Sequence, residues 1–391
     1  MTIPDGWTVS TVEQLCHFEN NRRIPVSESE RAKRPGNVPY YGANGLQGYI
    51  DQAMFNEDLI LLAEDGGHYD DFTNRPIAYR ITGPAWVNNH AHVIKSRDPN
   101  FQNYLFYSLE HKDIRAHIVG GTRGKLNLGV LKNIPIAHPV DVSESIAIAE
   151  IIQSADDVIS FQRTLISKLK MIREGALKDI LTNGVDEKGV LRSPKTHEFV
   201  DTQIGPVPFT WALGPIENFL QLQRGHDLPL SARNEGNIPI IGSNGVDGTH
   251  DTQMYDAPGV ITGRSGTIGK IHFVETSYWP LNTTLFVRDF RGNNPMFVAY
   301  FLEFLRLKRY STGTGVPTLN RNLIHPTICA FPQKEEQNRI VTQLQTIDTR
   351  INSETRVMKK YEKIKIGLIN DLLTGKVRVP ISVPHGVEVA V

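Results

Sequence analysis

Two stretches of the chain keep an apolar stripe at helical spacing far longer than a small domain needs. From Ile148, apolar residues recur at Ile152, Ala155, Ile159, Ile166, Leu169, Ile172, Ala176 and Ile180, mostly in steps of three and four. From Ile340 they recur at Leu344, Ile347, Ile351, Met358, Tyr361, Ile364, Leu368 and Leu372. The two stripes superimpose at a constant offset of 192 with no gap, and the polar interruptions Gln162 and Glu354 coincide. Both close alike, DILTNGV at Asp179 and DLLTGKV at Asp371, with Gly184 and Gly375 as C-terminal stop signals. The pattern predicts two long helices; Ile148 to Ile180 alone covers 33 residues, roughly 50 Å at 1.5 Å per residue. A stripe that long outruns one small domain, so the helices are expected to pack on each other as a coiled coil. A full globular domain separates them in sequence, which makes the expected pairing antiparallel, with Ile152, Ile159, Leu344 and Ile351 on the seam.

The segments before the two helices are also related. NVPYYGANGLQGYID at Asn37 returns as NIPIIGSNGVDGTHD at Asn237, and residues 34–51 share eight identities in 18 positions with residues 234–251. Further matches follow in the same order: Trp7 with Trp211, Asn89 with Asn282, the Leu-Asn pair at Leu126 with that at Leu319, and Pro139 with Pro332. An internal repeat organises the whole chain. The expected layout is a globular domain over 1–140, a helical spacer over 141–185, a Pro/Gly-rich linker over 186–207, a second globular domain over 208–333, a second spacer over 334–377 and a tail over 378–391. β-rich runs such as DLILLA at Asp58 and TLFVRDF at Thr284 alternate with turns, while FQNYLFYSLEHKDI at Phe101 and MFVAYFLEFLRLKRY at Met296 carry helical patterns. The predicted fold class is mixed α/β (α+β), two similar globular domains with a pseudo-twofold internal repeat.

Bulk composition narrows the class only a little. Lys plus Arg and Asp plus Glu are 42 each in 391 residues, so net charge gives no sign of a nucleic-acid partner, although a local basic face needs no net charge. Two cysteines make no disulfide framework and fit a reducing, cytoplasmic setting. No run of 18 apolar residues occurs, so no membrane span is expected.

Three motifs invite chemistry and decline it. NVPY at Asn37 is one residue from the Asn-Pro-Pro-Tyr loop of amino-methyltransferases, but its repeat partner NIPI lacks the stacking aromatic and no glycine-rich cofactor loop precedes either. GGTRGK at Gly120 has Val119 at the first glycine position of a phosphate loop and Leu126 at the Ser/Thr that would hold magnesium. His90 and His92 in NNHAHV have no third ligand nearby, so no metal is assigned.

Taken together, PDGWTVSTVEQL at Pro4, YYGANG at Tyr40, GTIGKI at Gly266, PLNTTLFV at Pro280, GTGVPTLNRNLI at Gly313 and EEQNRIVTQLQTIDTRI at Glu335 make the chain resemble the DNA specificity subunit of type I restriction-modification systems over essentially its full length. The first half carries DGGHYDDF at Asp65 where the second has GTIGKI. The resemblance implies two target-recognition domains reading an asymmetric, split site on double-stranded DNA. It further implies a non-catalytic subunit that binds two modification (methyltransferase) subunits and restriction subunits, with S-adenosylmethionine, ATP and magnesium belonging to those partners. Under that implication the DNA-contact candidates of the first domain are Arg22, Arg23, Asn44, His68, Tyr69, Arg123 and Lys125. Those of the second are Arg224, Asn244, Arg264, Ser265, Thr267, Lys270, Arg306, Lys308, Arg309 and Arg321. Asn suits adenine and Arg suits guanine, and both also bind phosphate. The helices would act as a ruler between two half-sites separated by unread base pairs. A DNA methyltransferase or nuclease in its own right, and a two-domain binder of a non-nucleic ligand such as a carbohydrate, are the alternatives.

Overall fold

The computed structural model describes residues 3–121, 123–313 and 317–380. Thr122 of the GGTRGK motif, residues 314–316 of the GTGVPTLNRNLI motif and the tail beyond residue 380 lie outside the described residues. The chain forms two compact units, one made of Met1–Arg163 with Arg356–Val391 and the other of Thr164–Thr355. The two long helices span Val142–Asn183 and Lys334–Leu372, so each contributes one segment to each unit.

Both units are built on the same four-stranded antiparallel sheet. In the first unit the order is Cys16–Phe18, Ala91–Ser96, Leu59–Ala63, Ala78–Ile81. In the second it is Gln221–Arg224, Thr284–Asp289, Gly259–Gly263, Ile271–Val274. The strand Leu59–Ala63 reads as an unbroken apolar run because both its faces are covered. Ile60 and Leu62 join the core around the helix Gln102–Glu110, whereas Leu59 and Leu61 face a second cluster with Phe55 and Val87, the two-residue alternation of an extended strand. Val260 and Ile261 divide in the same way.

The duplicated glycine motif is a hairpin rather than an irregular loop. Val38–Gly42 pairs with Gly45–Ile50, and Ile238–Gly242 with Gly245–His250, each with a register shift in mid-strand. Gly45 and Gly245 close the turns at φ of +99° and +123°, which a side chain would strain. A Cβ on Gly36 would lie 2.3 Å from the Ile50 carbonyl, and one on Gly236 would lie 2.3 Å from the His250 carbonyl. Both glycines of the repeat are therefore fixed by backbone crowding where the hairpin closes on itself.

Within each unit the two helix segments run antiparallel. In the first unit Lys365 Nζ lies 2.8 Å from Asp156, and Arg163 lies 3.1 Å from Glu362. In the second, Arg173 pairs with Asp348, and Glu336 accepts from the Val185 amide at 3.0 Å. The expected stripe is right along most of its length and off by one residue at its charged point. Ile172 and Ile364 are 58% and 40% exposed, and the inward positions are taken by Arg173 and Lys365, related by the same offset of 192. The reason is an ionic cluster, largely buried in the first unit and partly exposed in the second, that apolar periodicity does not register. Lys365 bridges Glu110 and Asp156, with Tyr107 donating to Asp156 at 3.0 Å. Arg173 bridges Glu303 and Asp348, with Tyr300 donating to Asp348 at 2.7 Å. Burial leads the causes that push both tyrosine hydroxyls far above their ordinary range, and the adjacent aspartate adds to it.

A second constellation also occurs in both units. Glu144 accepts a fork from Arg378 at 2.6 and 2.7 Å, and Gly375 packs close to the Trp7 ring, whose buried indole N–H has no hydrogen-bond partner among the described residues. Glu336 takes Arg192 and, at 3.2 Å, the Trp211 indole N–H, next to Gly184, which packs close to the same ring. Ile152 and Leu344, expected on the helix seam, are fully buried in the globular cores of the first and second units. Ile159 and Ile351 are also buried.

Candidate nucleic-acid interface

In each unit three turns of the same topology meet at one end of the sheet. The hairpin tip brings Asn44 or Asn244, both exposed. The central strand ends in Glu64–His68 or Arg264–Thr267, and a third segment, around Lys125 or Thr318, bridges to it at Asp65 or Ser265. The main chain at the centre is locked identically: Leu126 donates to the Glu64 carbonyl at 2.7 Å and Leu319 to the Arg264 carbonyl at 2.8 Å. Most of the predicted contact residues sit here, but the two ends have opposite charge arrangements.

The first unit neutralises itself. Arg23 pairs with Glu64 at 2.7 Å and also donates to the Ala91 carbonyl at 2.7 Å, while Lys125 approaches Glu64 to 3.4 Å. Arg123 and His90 both hold Asp65, at 2.6 and 2.9 Å, and Arg22 holds Glu57 at 2.7 Å. Burial alone would raise Glu64 and Asp65, yet the hydrogen bonds from Arg23 and Lys125, and from His90 and Arg123, hold both carboxyls below their ordinary range. His92 is buried, within hydrogen-bond distance of Asn20 and of the Leu126 carbonyl, and burial holds its imidazole below its ordinary value. The two histidines are thus parts of the turn's own scaffold. Tyr69 is buried too, its hydroxyl donating to the Ala63 carbonyl at 2.8 Å, so it supports the turn from below, whereas His68 is half-buried on it. Asn44 donates to the Gly66 carbonyl at 3.0 Å and ties the hairpin tip to the turn.

The second unit opens a cleft of about 660 Å³ at this end, lined by Arg224, Arg264, Arg288 and Arg321 together with Gln223 and Asn320. Among the described residues no carboxylate lines it. Arg288 was not among the residues expected from sequence. It occupies the register shift between Gln221 and Leu222, where Gln221 faces Asp289 and Leu222 faces Val287, leaving Arg288 unpaired in the ladder. Such a bulge re-aims a side chain, and only the pairing of two strands 60 residues apart reveals it. Lys270 donates to the Asn244 carbonyl at 3.2 Å, and Ser265 and Thr267 sit on the turn beside the cleft. Arg306 lies elsewhere, paired with Glu174 at 3.3 Å in a different cleft beside the helix segments. Lys308 packs over Gly269, and the Arg309 guanidinium lies 4.8 Å from the Tyr310 ring centre.

The chain matches the type I restriction modification DNA specificity domain over residues 4–171 and 208–363, one match for each half of the internal repeat. It belongs to that family: it is a type I restriction-modification specificity subunit, a DNA-recognition component that performs no catalysis itself. It is 25% identical over 387 residues to a putative type I restriction enzyme specificity subunit of Haemophilus influenzae, covering 92% of this chain and 94% of the relative. It is 21% identical over 422 residues to the MjaVIII specificity subunit of Methanocaldococcus jannaschii, covering 97% and 95%. Its fold is similar to that of the S subunit of the type I system of M. genitalium, with a TM-score of 0.62 at 15% identity over 95% of this chain and 98% of that one.

Proposed function

We propose that the chain reads an asymmetric, bipartite target on double-stranded DNA, one half-site per unit, through the three-turn end of each sheet. The observation that carries this is the contrast between the two ends. They share a main-chain scaffold, yet the turns carry different side chains, Asn44 and His68 beside a closed Glu64–Asp65 network in one and Asn244, Ser265 and Thr267 beside an arginine cleft in the other, and different polar side chains suit different base edges. Two copies of one surface would read a palindrome; two different surfaces read two different half-sites. The long helices, paired as an antiparallel coiled coil in a pseudo-twofold arrangement, join the recognition domains and set the number of unread base pairs between half-sites. They also carry the docking surface for two methyltransferase subunits and for restriction subunits. Large apolar side chains left in water support that role: Phe161, Met171 and Ile172 on the first helix, Ile364 and Ile366 on the second. S-adenosylmethionine, ATP and magnesium belong to those partners, and the setting is cytoplasmic. Among the described residues no helix is long and apolar enough to cross a membrane.

Methylation mapping of the complex reconstituted with its methyltransferase partner tests the reading. The expected result is one non-palindromic target of two short half-sites around a fixed spacer. A palindromic target, or methylation by the purified chain alone, overturns it.

A further inference from the structure

We propose that the four-arginine cleft of the second unit is a phosphodiester clamp: it seats one sugar-phosphate ridge of the duplex, reads no base, and supplies most of the chain's electrostatic affinity. This rests on the DNA-reading function above and adds to it a division of labour between the halves.

The shape of the site carries the first step. A base edge in the major groove is reached by something that protrudes, whereas a concave cleft receives a ridge, and the ridges of duplex DNA are its backbones. The chemistry carries the second. Arg224 donates to the Asn282 carbonyl at 3.4 Å and lies 3.9 Å from the exposed Asp227; Arg288 donates to the neutral Gln223 at 3.0 Å; Arg321 donates to the Leu222 carbonyl at 3.4 Å. The Arg264 main chain is bonded on both sides, at 2.8 Å to Thr283 and 2.8 Å from Leu319, which fixes where its side chain emerges. Among the described residues no carboxylate lines the cleft, so four positive charges converge in it. A planar guanidinium fork matches phosphate oxygens, which gives such a cleft its ligand class.

The repeat carries the third step. Strand register places Asn20, Glu64, Lys95 and Leu128 of the first unit where the second has Arg224, Arg264, Arg288 and Arg321. The four positions sum to a formal charge of +4 in the second unit and of zero in the first, Lys95 cancelling Glu64. Lys95 is moreover tied to Glu57 at 2.6 Å. The clamp is a property of one half only.

The test measures binding of the complex with its methyltransferase partner to a target duplex across a salt series. Each phosphate neutralised adds about 0.9 to the slope of log affinity against log salt. The R224Q/R288Q double variant, both residues exposed, is expected to make the slope shallower by about two while the methylated sequence stays the same. R264Q gives an independent reading and is expected to lower the slope by about one. K95Q in the first unit is expected to shift it by less than about half. An unchanged slope in R224Q/R288Q and R264Q, or an altered methylated sequence in either, overturns the clamp. If the wild-type complex shows no salt-dependent DNA binding at all, the DNA-reading function falls first and the clamp with it.

Discussion

The turn at Glu64 and the turn at Arg264 occupy the same place on the same sheet, yet one is an acid held by Arg23 and Lys125 and the other a base in an open cleft. Where the long helices pack on each unit, the ionic contacts have diverged less. The cation–Glu–Asp–Tyr cluster recurs in both units at matched positions, and each unit also holds a Glu–Arg pair near a tryptophan and a glycine, although the indole N–H reaches the glutamate at Trp211 and not at Trp7. The duplicated chain has kept the end that binds the helices and varied the end that carries the turns. On the proposed function, assembly and recognition fall to different parts of one scaffold, and substitutions at the two should fail differently.

The largest effects belong to the shared pole. An aspartate at Ile152 or Leu344 would place an unpaired charge in a core from which water is excluded, at a cost of several kcal/mol. Because the two residues occupy equivalent core positions, either substitution should abolish soluble expression or partner binding before any change in sequence preference appears. Co-purification with the methyltransferase subunit measures this, and full assembly by the double variant would break the idea of a common structural pole. Next in size is the ionic cluster, where the two halves differ in degree. Lys365→Met leaves Glu110 and Asp156 facing each other without a cation in a buried site, which should cost about 3–5 kcal/mol in urea unfolding. Arg173→Met removes a cation whose partners are more exposed, and about 1.5–3 kcal/mol is expected. Equal losses would mean that solvent exposure does not distinguish the two clusters.

A lesser effect probes the varied pole. Glu64→Gln removes the charge that holds Arg23 and Lys125, and freed cations become available to phosphate. Non-specific duplex affinity of the complex should rise, with a slope against log salt steeper by about one to two. A slope that stays flat would show that the first unit's basic residues face away from DNA even when released.

The shared pole was legible in the sequence because it is periodic. The helices, their offset and their glycine stops follow from spacing, and the duplicated glycine motif follows from the repeat, although its hairpin form came only with the strand pairing. The reading slipped by one residue at Ile172 and Ile364 because a hydrophobicity pattern counts apolar side chains, and the inward positions there belong to Arg173 and Lys365, whose burial depends on carboxylates far away in sequence. At the varied pole, Arg224, Arg264 and Arg321 could be picked out as candidates, but only tertiary pairing shows that they converge. Arg288 was invisible because its orientation is set by a bulge. Nor does a residue list distinguish a basic residue that lines an open cleft from one already held by a carboxylate, which is what separates Arg264 from Arg23.

The smallest expected effect concerns pH, and it sharpens the same contrast. Burial holds His92 in the first unit and His272 and His325 in the second below the ordinary imidazole value of 6.5. A histidine with a lowered folded value takes up its proton more readily in the unfolded chain. The stability it contributes is complete above about pH 6.5 and declines as pH falls towards the folded value. Both units should therefore weaken modestly between pH 7.5 and 5.5. The turn of the first unit carries an additional loss further down, because Glu64 and Asp65, which have no acidic counterpart at Arg264 and Ser265, are held below the ordinary carboxylate range by their cations. Their contribution is present above about pH 4.5 and is lost as they protonate. Hydrogen exchange resolved by segment, compared at pH 7.5, 5.5 and 4, should show the turn around Glu64–His68 opening in the last step while the Arg264–Thr267 turn changes no further. Parallel behaviour of the two turns below pH 5 would mean that the Glu64–Asp65 network adds nothing to the folding of its own end.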